Sequence, residues 1–428
     1  MEPIWGLAVL LVLFLAGLPV TYALGYSALF IMYFSTGMKW MTIGQQMIYG
    51  LNSFTILAVP LFLLAGKLMN KCGVTDRLFG FARTLVGWMP GGLGHVNVLA
   101  SVIFAGMSGT AIADASGLGM IEIKAMKDAG YDKDFSCAVT AASSTMGPII
   151  PPSMPLVVYG TISGASIGAL FIAGVLPGII MALLMMSLVF IFAKKHKYPR
   201  DKFPSFREFL HACKLGILPC LTPVIILLGI YTGIFTPTES AAVVVAYAAF
   251  LGVVVYKELS LRQLIAVLKE TVGDAIGICI LISAATLFGN VLVKATIPQT
   301  LMKIIMSAID SKLVFLLILN VALLVVGMFM ETVSSITILT PIIVPVAVAF
   351  GVSTVHLGII MVLNLMIGVV SPPFGVVLFA INKVGEIPFG RLVKAMLPWY
   401  IVLIAALLII TLVPWLCTWL PSTMGFGV

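Results

Sequence analysis

Long apolar stretches separated by short polar connections run through all 428 residues, and inside them one pattern occurs twice. A small or polar run sits within an apolar hairpin, and a hydrophobic helix broken by two prolines follows it. In the first half Ser108-Gly109-Thr110 precedes GPIIPPS at residues 147–153; in the second, Glu331-Thr332-Val333-Ser334-Ser335 precedes GVVSPPF at residues 368–374. At about 20 apolar residues per span, the stretches predict roughly ten to twelve spanning or re-entrant helices. Two helices broken at matching places in two halves predict the binding site of a transporter.

Superposing the halves gives an offset of about 220 residues, the mark of an internal repeat. Leu18-Pro19-Val20-Thr21 interrupts the first apolar stretch and Thr236-Pro237-Thr238-Glu239 interrupts its counterpart. An amphipathic run follows each, at residues 40–50 and 259–271, too polar to span and suited to an interfacial arm. Spans near 53–69 and 272–293 come next, then the hairpin, the proline-broken helix and a closing span at 167–193 or 396–420. The expected organisation is therefore repeat one at residues 1–194, a cytoplasmic linker at 195–214, and repeat two at residues 215–428. The fold class is an all-α polytopic membrane protein.

Composition agrees with the pattern. The chain is 61% hydrophobic and 9% charged, with mean hydropathy +1.18, which excludes soluble globular classes and leaves no room for a separate soluble domain. The net charge of +8 matters through its distribution, as a topology signal and a contact with lipid headgroups; nucleic acid is not an expected partner. With the N-terminus outside, repeat one starting outside and repeat two starting inside, 20 of the 24 Lys and Arg fall on one face. Only Lys39, Lys294, Lys303 and Lys312 fall on the other. That asymmetry predicts inverted repeats, whose hairpins enter from opposite faces. Met1-Glu2-Pro3 shows neither a positive n-region nor a convincing cleavage site, so the first helix is expected to be retained. The six cysteines have no metal or disulfide spacing and read as small packing residues.

The prolines carry the chemistry. Pro151, Pro152 and Pro155, and Pro372 and Pro373 in the second half, remove amide donors and clash with the preceding turn. Carbonyls near Gly147 and Ile150, or Gly368 and Ser371, are freed at a helix C-terminal end, where partial negative charge suits a sodium ion. The alternative is a plain proline kink, and duplication of the break favours a site. Hydroxyls and turn amides at Ser108, Gly109 and Thr110 can hold an anionic substrate, with Ser153 and Thr332 counted among its contacts; the alternative for small residues is close helix packing. Intramembrane charges are functional candidates by default. Glu331 sits opposite Thr110 in the repeat, and its cationic partner is Lys294, which either meets the substrate carboxylate or snorkels to the interface. Asp114 lines or caps the first hairpin, Glu239 caps the helix after Pro237, and Asp274 is a helix-end charge. No His-Glu-x-x-His, paired-carboxylate, Walker A or dinucleotide motif is present, so neither enzymatic chemistry nor ATP hydrolysis is expected within the chain. Two other readings remain: an intramembrane enzyme with Ser108 as nucleophile, lacking a neighbouring base, and a passive anion channel.

The segments FAGMSGTAIADASGLG (104–119), MGPIIPPSMPLVVYG (146–160), GIFTPTESAAV (233–243) and SPPFGVVLF (371–379) resemble the large membrane M subunit of tripartite ATP-independent periplasmic (TRAP) transporters, along essentially the whole chain. The resemblance implies an elevator-type secondary transporter in a bacterial inner membrane, with two re-entrant hairpins and two discontinuous helices carrying substrate past a static scaffold. It implies a first sodium site at Ser108, Gly147, Ile150 and Pro152. A second falls to the 327–332 hairpin, with Gly327 and Thr332, and to Gly368 through Ser371. Substrate, an organic acid such as sialic acid or a C4-dicarboxylate, is expected between the tips. Its partners are a periplasmic binding P subunit and a small four-helix Q subunit, here expected as a separate polypeptide. Two or more Na+ per monoanion would bring net positive charge inward, driven by about 2.3 kcal/mol per charge per 100 mV.

Overall fold

The computed structural model describes residues 5–36 and 39–427. The expectations for Met1-Glu2-Pro3, its outer placement included, lie outside the described residues. The first half of the chain runs α1 (Trp5–Leu15), α2 (Val20–Ile31), α3 (Met41–Leu51), α4 (Ala58–Lys71), α5 (Val74–Val86), α6 (Gly92–Ser108), α7 (Ala111–Ala113), α8 (Gly119–Asp128), α9 (Lys133–Ser143), α10 (Met154–Ser163) and α11 (Ile167–His196). The second half runs α12 (Phe206–Tyr231), α13 (Pro237–Phe250), α14 (Leu261–Lys294), α15 (Ile297–Ala308), α16 (Lys312–Phe329), α17 (Thr332–Ala349), α18 (Thr354–Val369), α19 (Val376–Gly385), α20 (Phe389–Leu412) and α21 (Trp415–Thr423). No strand occurs among the described residues.

The boundaries follow local chemistry. Pro19 separates α1 from α2, and Pro237 opens α13 behind Thr236, whose hydroxyl accepts the Glu239 amide while the Glu239 carboxylate accepts the Thr236 amide, a full capping box. Gly73 and Thr296 take the left-handed conformation just before α5 and α15, at equivalent places in the two halves. Seven helices among the described residues are long and apolar enough to cross a membrane, eight if Phe206–Lys214 and Gly216–Tyr231, which meet at 52°, are one span. The remaining apolar segments expected from sequence are shorter helices, among them Gly92–Ser108, Met154–Ser163, Thr354–Val369 and Val376–Gly385. These are the limbs of the first hairpin and the broken helices.

Two elements differ from expectation. The arm expected at 259–271 and the span at 272–293 are one continuous helix, the 34-residue α14, about 51 Å long at 1.5 Å per residue. In the first half Asn52 breaks the helical path (φ −84°, ψ 53°) and separates α3 from α4; the run LKETVGDAI in α14 has no proline, and Thr271 stays inside the helix with its hydroxyl donating to the Val267 carbonyl at 2.7 Å. The closing span expected at 396–420 is likewise two helices, α20 and α21, parted at Val413-Pro414.

The packing is crossed. α10, the far half of the first broken helix, lies against α17 of the second hairpin, while α19 lies against α7 and α8 of the first. The backbone of α18 is buried along its whole length, packed on α16, α17 and α20. One hydrogen-bonded chain threads this packing: Asn364 donates to Asn320 Oδ1 (2.8 Å), and Asn320 donates to Thr411 (3.0 Å). Ion pairs join Lys67 to Glu270 and Asp274, Arg77 to Glu258, Arg83 to Asp201 and Arg391 to Asp134. Every basic member belongs to the face that the charge pattern assigns to the cytoplasm. Cys72, Cys137 and Cys417 are buried free thiols and the other three cysteines are partly buried, as packing residues are.

Candidate substrate and ion site

The two tips differ in backbone but share an extended N-cap residue whose side chain accepts the amide three residues on. α6 ends at Ser108, Gly109 takes the left-handed conformation (φ 60°), and extended Thr110 begins the return limb, its hydroxyl accepting the Ala113 amide at 3.4 Å. In the second hairpin Met330 and Glu331 are extended, and the Glu331 carboxylate accepts the Ser334 amide at 3.0 Å as the N-cap of α17. A carboxylate at a helix N-terminus meets the positive end of the helix dipole. Glu331 is thus tied to its own helix.

The broken helices also match. After α9 and a 3₁₀ turn at Ser144–Met146, the amides of Ile149 and Ile150 both bond the Met146 carbonyl, at 3.0 and 3.1 Å. The Pro151–Pro152 bond is cis, and Ser153 starts α10 by accepting the Leu156 amide while its hydroxyl donates to the Pro148 carbonyl. In the second half Gly368 O accepts the Ser371 amide at 2.8 Å, Ser371 Oγ donates to Ile367 O at 2.7 Å, the Pro372–Pro373 bond is cis, and α19 begins at Val376.

These four constructions converge on one cavity of ≈ 280 Å³. Thr110 and Ala111 bring the start of the first return limb, Met154 and Pro155 the start of α10, Glu331 and Thr332 the start of α17, and Val376 and Val377 the start of α19. Met366 and Val369 bring the end of α18, Pro148 the end of the first broken turn, and α14 closes the side with Gly277, Ile278 and Leu281. Four helix N-termini therefore point at the cavity beside two helix C-terminal ends. Amide-rich positive ends attract an anion, and the carbonyl-rich ends attract a cation.

Of the expected site residues, Thr110, Glu331 and Thr332 line the cavity, and others form two groups at the breaks, off its lining. Gly109 packs so closely on the first break that a Cβ there would stand 2.6 Å from Pro152 O, and Gly147 lies against the Thr110 backbone. Ser108, beside them, has a buried hydroxyl with no partner. In the second half Gly327 and Gly368 touch backbone to backbone, next to Ser371, with Thr332 on the cavity wall. Ile150 is half-buried in the first break. Ser153 is fully buried, off the cavity lining, and its hydroxyl is used in the turn. Lys294 is the exposed last residue of α14, thirteen positions beyond Leu281 and hence about 20 Å farther along the helix. Among the described residues no ion pair joins it to Glu331, so the structure does not bring those two charges together. Glu239 caps α13 as expected, and Asp274 is held by Lys67 at 2.6 Å.

The lining from α14 was not singled out in the sequence, because Gly277, Ile278 and Leu281 are apolar or small positions in an apolar helix and carry no local mark. Only the packing of α14 across the hairpin tips makes them part of the site.

The family model for the tripartite ATP-independent periplasmic transporter, DctM component, matches residues 7–416. The chain belongs to this family. Among its relatives, the sialic acid TRAP transporter large permease protein SiaM of Vibrio cholerae is 44% identical over 418 residues, 97% of each chain. The C4-dicarboxylate TRAP transporter large permease protein DctM of Pseudomonas aeruginosa is 40% identical over 374 residues, covering 87% of this chain and 88% of that one. Of solved structures, the Alcanivorax borkumensis YdaH transporter superposes with a TM-score of 0.64 at 14% identity, over 87% of this chain and 88% of that one; at that identity the likeness speaks for the fold alone. The TRAP permease is a multi-pass protein of the bacterial inner membrane and a transporter subunit, so the reading of Ser108 as an enzyme's nucleophile is set aside.

Proposed function

We propose that this permease performs sodium-coupled secondary uptake of an organic acid anion delivered by a periplasmic binding protein. The observation that carries the reading is the single cavity on which four helix N-termini and two broken C-terminal ends converge. A carboxylate-bearing substrate is held by the N-terminal amides at the hairpin tips, with the Thr110 hydroxyl beside it. Sodium ions lie behind it, the first among Ser108, Gly147, Ile150 and Pro152 and the second among Gly327, Thr332, Gly368 and Ser371. Glu331 carries negative charge on the cavity wall, which disfavours an anion alone and favours an anion arriving together with cations. Binding of substrate and sodium is thereby coupled.

Movement follows an elevator scheme. The hairpins and broken helices form the carrier and α14 belongs to the scaffold beside it; the crossed packing of α10 on α17 and α19 on α7–α8 supports a carrier built from both repeats. The one-sided distribution of Lys and Arg along the sequence supports the inverted arrangement of the halves and re-entry of the hairpins from opposite sides. A small Q subunit and a periplasmic P protein complete the transporter, and the substrate is sialic acid or a C4-dicarboxylate by analogy with the relatives' names.

The test is uptake into proteoliposomes containing this chain with its Q subunit, with and without sodium and binding protein. Accumulation that requires both is expected. Flux unchanged when both are omitted would sink the proposal in favour of a passive anion channel.

A further inference from the structure

A second polar cluster lies inside the first hairpin, away from the cavity. Asp114 stands in the π-helical turn Asp114–Leu118, and Glu122 one turn into α8. Both are buried, at 1% and 0% exposure, and so are Asn97, Ser101, Thr140 and Ser143 around them. A chain of polar side chains joins the two carboxyls. Ser101 has one hydroxyl proton to give either to Asp114 or to Ser143, 3.1 Å away; Ser143 donates to Asn97 Oδ1 (2.8 Å), and Asn97 donates to Glu122 Oε2 (2.7 Å). The same Asn97 amide donates to Thr140 (2.7 Å), which donates to Ser136 O. One oxygen of each carboxyl is left over: Asp114 Oδ2 and Glu122 Oε1 are buried without a partner.

No cation answers these two acids. On the elements packed against them, Arg77 is held by Glu258, Arg83 by Asp201, Asp134 by Arg391, and Lys133 by the Glu386 carbonyl. Asp76, Lys124, Lys127, Asp128 and Lys383 are exposed, the Cys137 thiol packs on Gly385, and both His95 ring nitrogens are buried without a hydrogen-bond partner. The one charge that bears on Glu122 is that of Asp114. Two ionised carboxyls in such a place would each be bare charges out of water, which is costly unless something positive joins them. A hard metal ion stripped of water needs about six oxygens. Among the described residues no group of three or more His, Cys, Asp or Glu side chains gathers to hold a metal, and here only two orphan carboxyl oxygens stand without a partner. A proton needs only one.

We propose that Asp114 and Glu122 form a proton-binding pair built into the first hairpin, its two carboxyls joined through Ser101, Ser143 and Asn97. The step is protonation alone: a carboxylate oxygen takes H+ from water, the acid becomes neutral, and the same proton returns to water on release. The link from this pair to transport rests on the uptake reading above; the protonation does not.

The experiment is infrared difference spectroscopy on the purified full chain, comparing wild type with Glu122→Gln and Asp114→Asn, which keep the side-chain shape. At neutral pH the wild type is expected to show the carbonyl band of a protonated carboxylic acid, fading on alkaline titration and weakened in each variant. Bands identical in wild type and both variants, each monodisperse on size exclusion, would overturn the proposal. So would loss of the wild-type band on adding sodium chloride at fixed pH, which would make the occupant a metal ion. In proteoliposomes the ratio of alkaline to neutral uptake should be several-fold higher in Glu122→Gln than in wild type, because the variant has no proton to lose there. An equal ratio in the two proteins would remove the link to transport. Absence of uptake in wild type at every pH would defeat the transport reading and leave the infrared result standing.

Discussion

Gly368 shows how a single position can be set by what lies across from it. A Cβ there would stand 2.9 Å from the Gly327 carbonyl oxygen, with the Gly327 backbone carbons closer still, so even a methyl must push α16 and α18 apart. Gly368→Ala is expected to destabilise the chain by about 1–3 kcal/mol through overpacking and to raise the sodium concentration needed for half-maximal uptake. Gly390→Ala, at a glycine with open space around it, is the control for thermal unfolding. Glu331 is a cap as well as a cavity residue. Glu331→Asp should keep the N-cap and most stability, whereas Glu331→Ala should lose about 1 kcal/mol; unequal losses of uptake and of melting temperature would separate the two roles. Ser108→Ala and Ser371→Ala should both raise the sodium midpoint. An unchanged midpoint in both would leave backbone carbonyls as the ion's ligands. At this scale the tips and prolines were legible from sequence because polar, small or imino residues stand out in an apolar chain. Lys294 stood out for the same reason, yet the length of α14 carries it away from the cavity.

At the scale of elements, the path of the chain was legible wherever a residue type forces backbone geometry: Pro19 and Pro237 between helices, Gly109 at a tip, the paired prolines in each broken helix. It was not legible where the two halves use the same pattern differently. The amphipathic runs at 40–50 and 259–271 look alike, but Asn52 ends α3 while α14 runs on through Thr271. Thr271→Pro should kink α14, remove one backbone hydrogen bond and cost about 3 kcal/mol or more, with loss of uptake read in proteoliposomes. The buried chain Asn364–Asn320–Thr411 ties α18, α16 and α20 together. Asn364→Leu leaves the Asn320 carbonyl without that donor, and about 1–3 kcal/mol of stability should be lost, measurable as a lower melting temperature at unchanged sodium dependence.

Across the whole molecule, ion pairs join the first half of the chain to the second: Lys67 to Glu270 and Asp274, Arg77 to Glu258, and Arg391 to Asp134. Being partly solvated, the Arg77–Glu258 pair should contribute no more than about 1 kcal/mol, so Arg77→Gln should lower the melting temperature slightly, and less in high salt. The hydrophobic run lengths, the prolines and the placement of basic residues by themselves determined that the chain crosses a membrane and that its helices are interrupted at the paired prolines. Those properties follow from local rules: the cost of unpaired backbone in lipid, the missing amide of proline, and the preference of Lys and Arg for one face. Only the tertiary structure decided that four helix starts share one cavity with α14, that Lys294 is absent from it, and that Asp114 and Glu122 are joined through buried hydroxyls and an amide. Convergence of that kind depends on how helices distant in sequence cross and pack, and an apolar wall or a lone buried acid leaves no periodic trace along the chain.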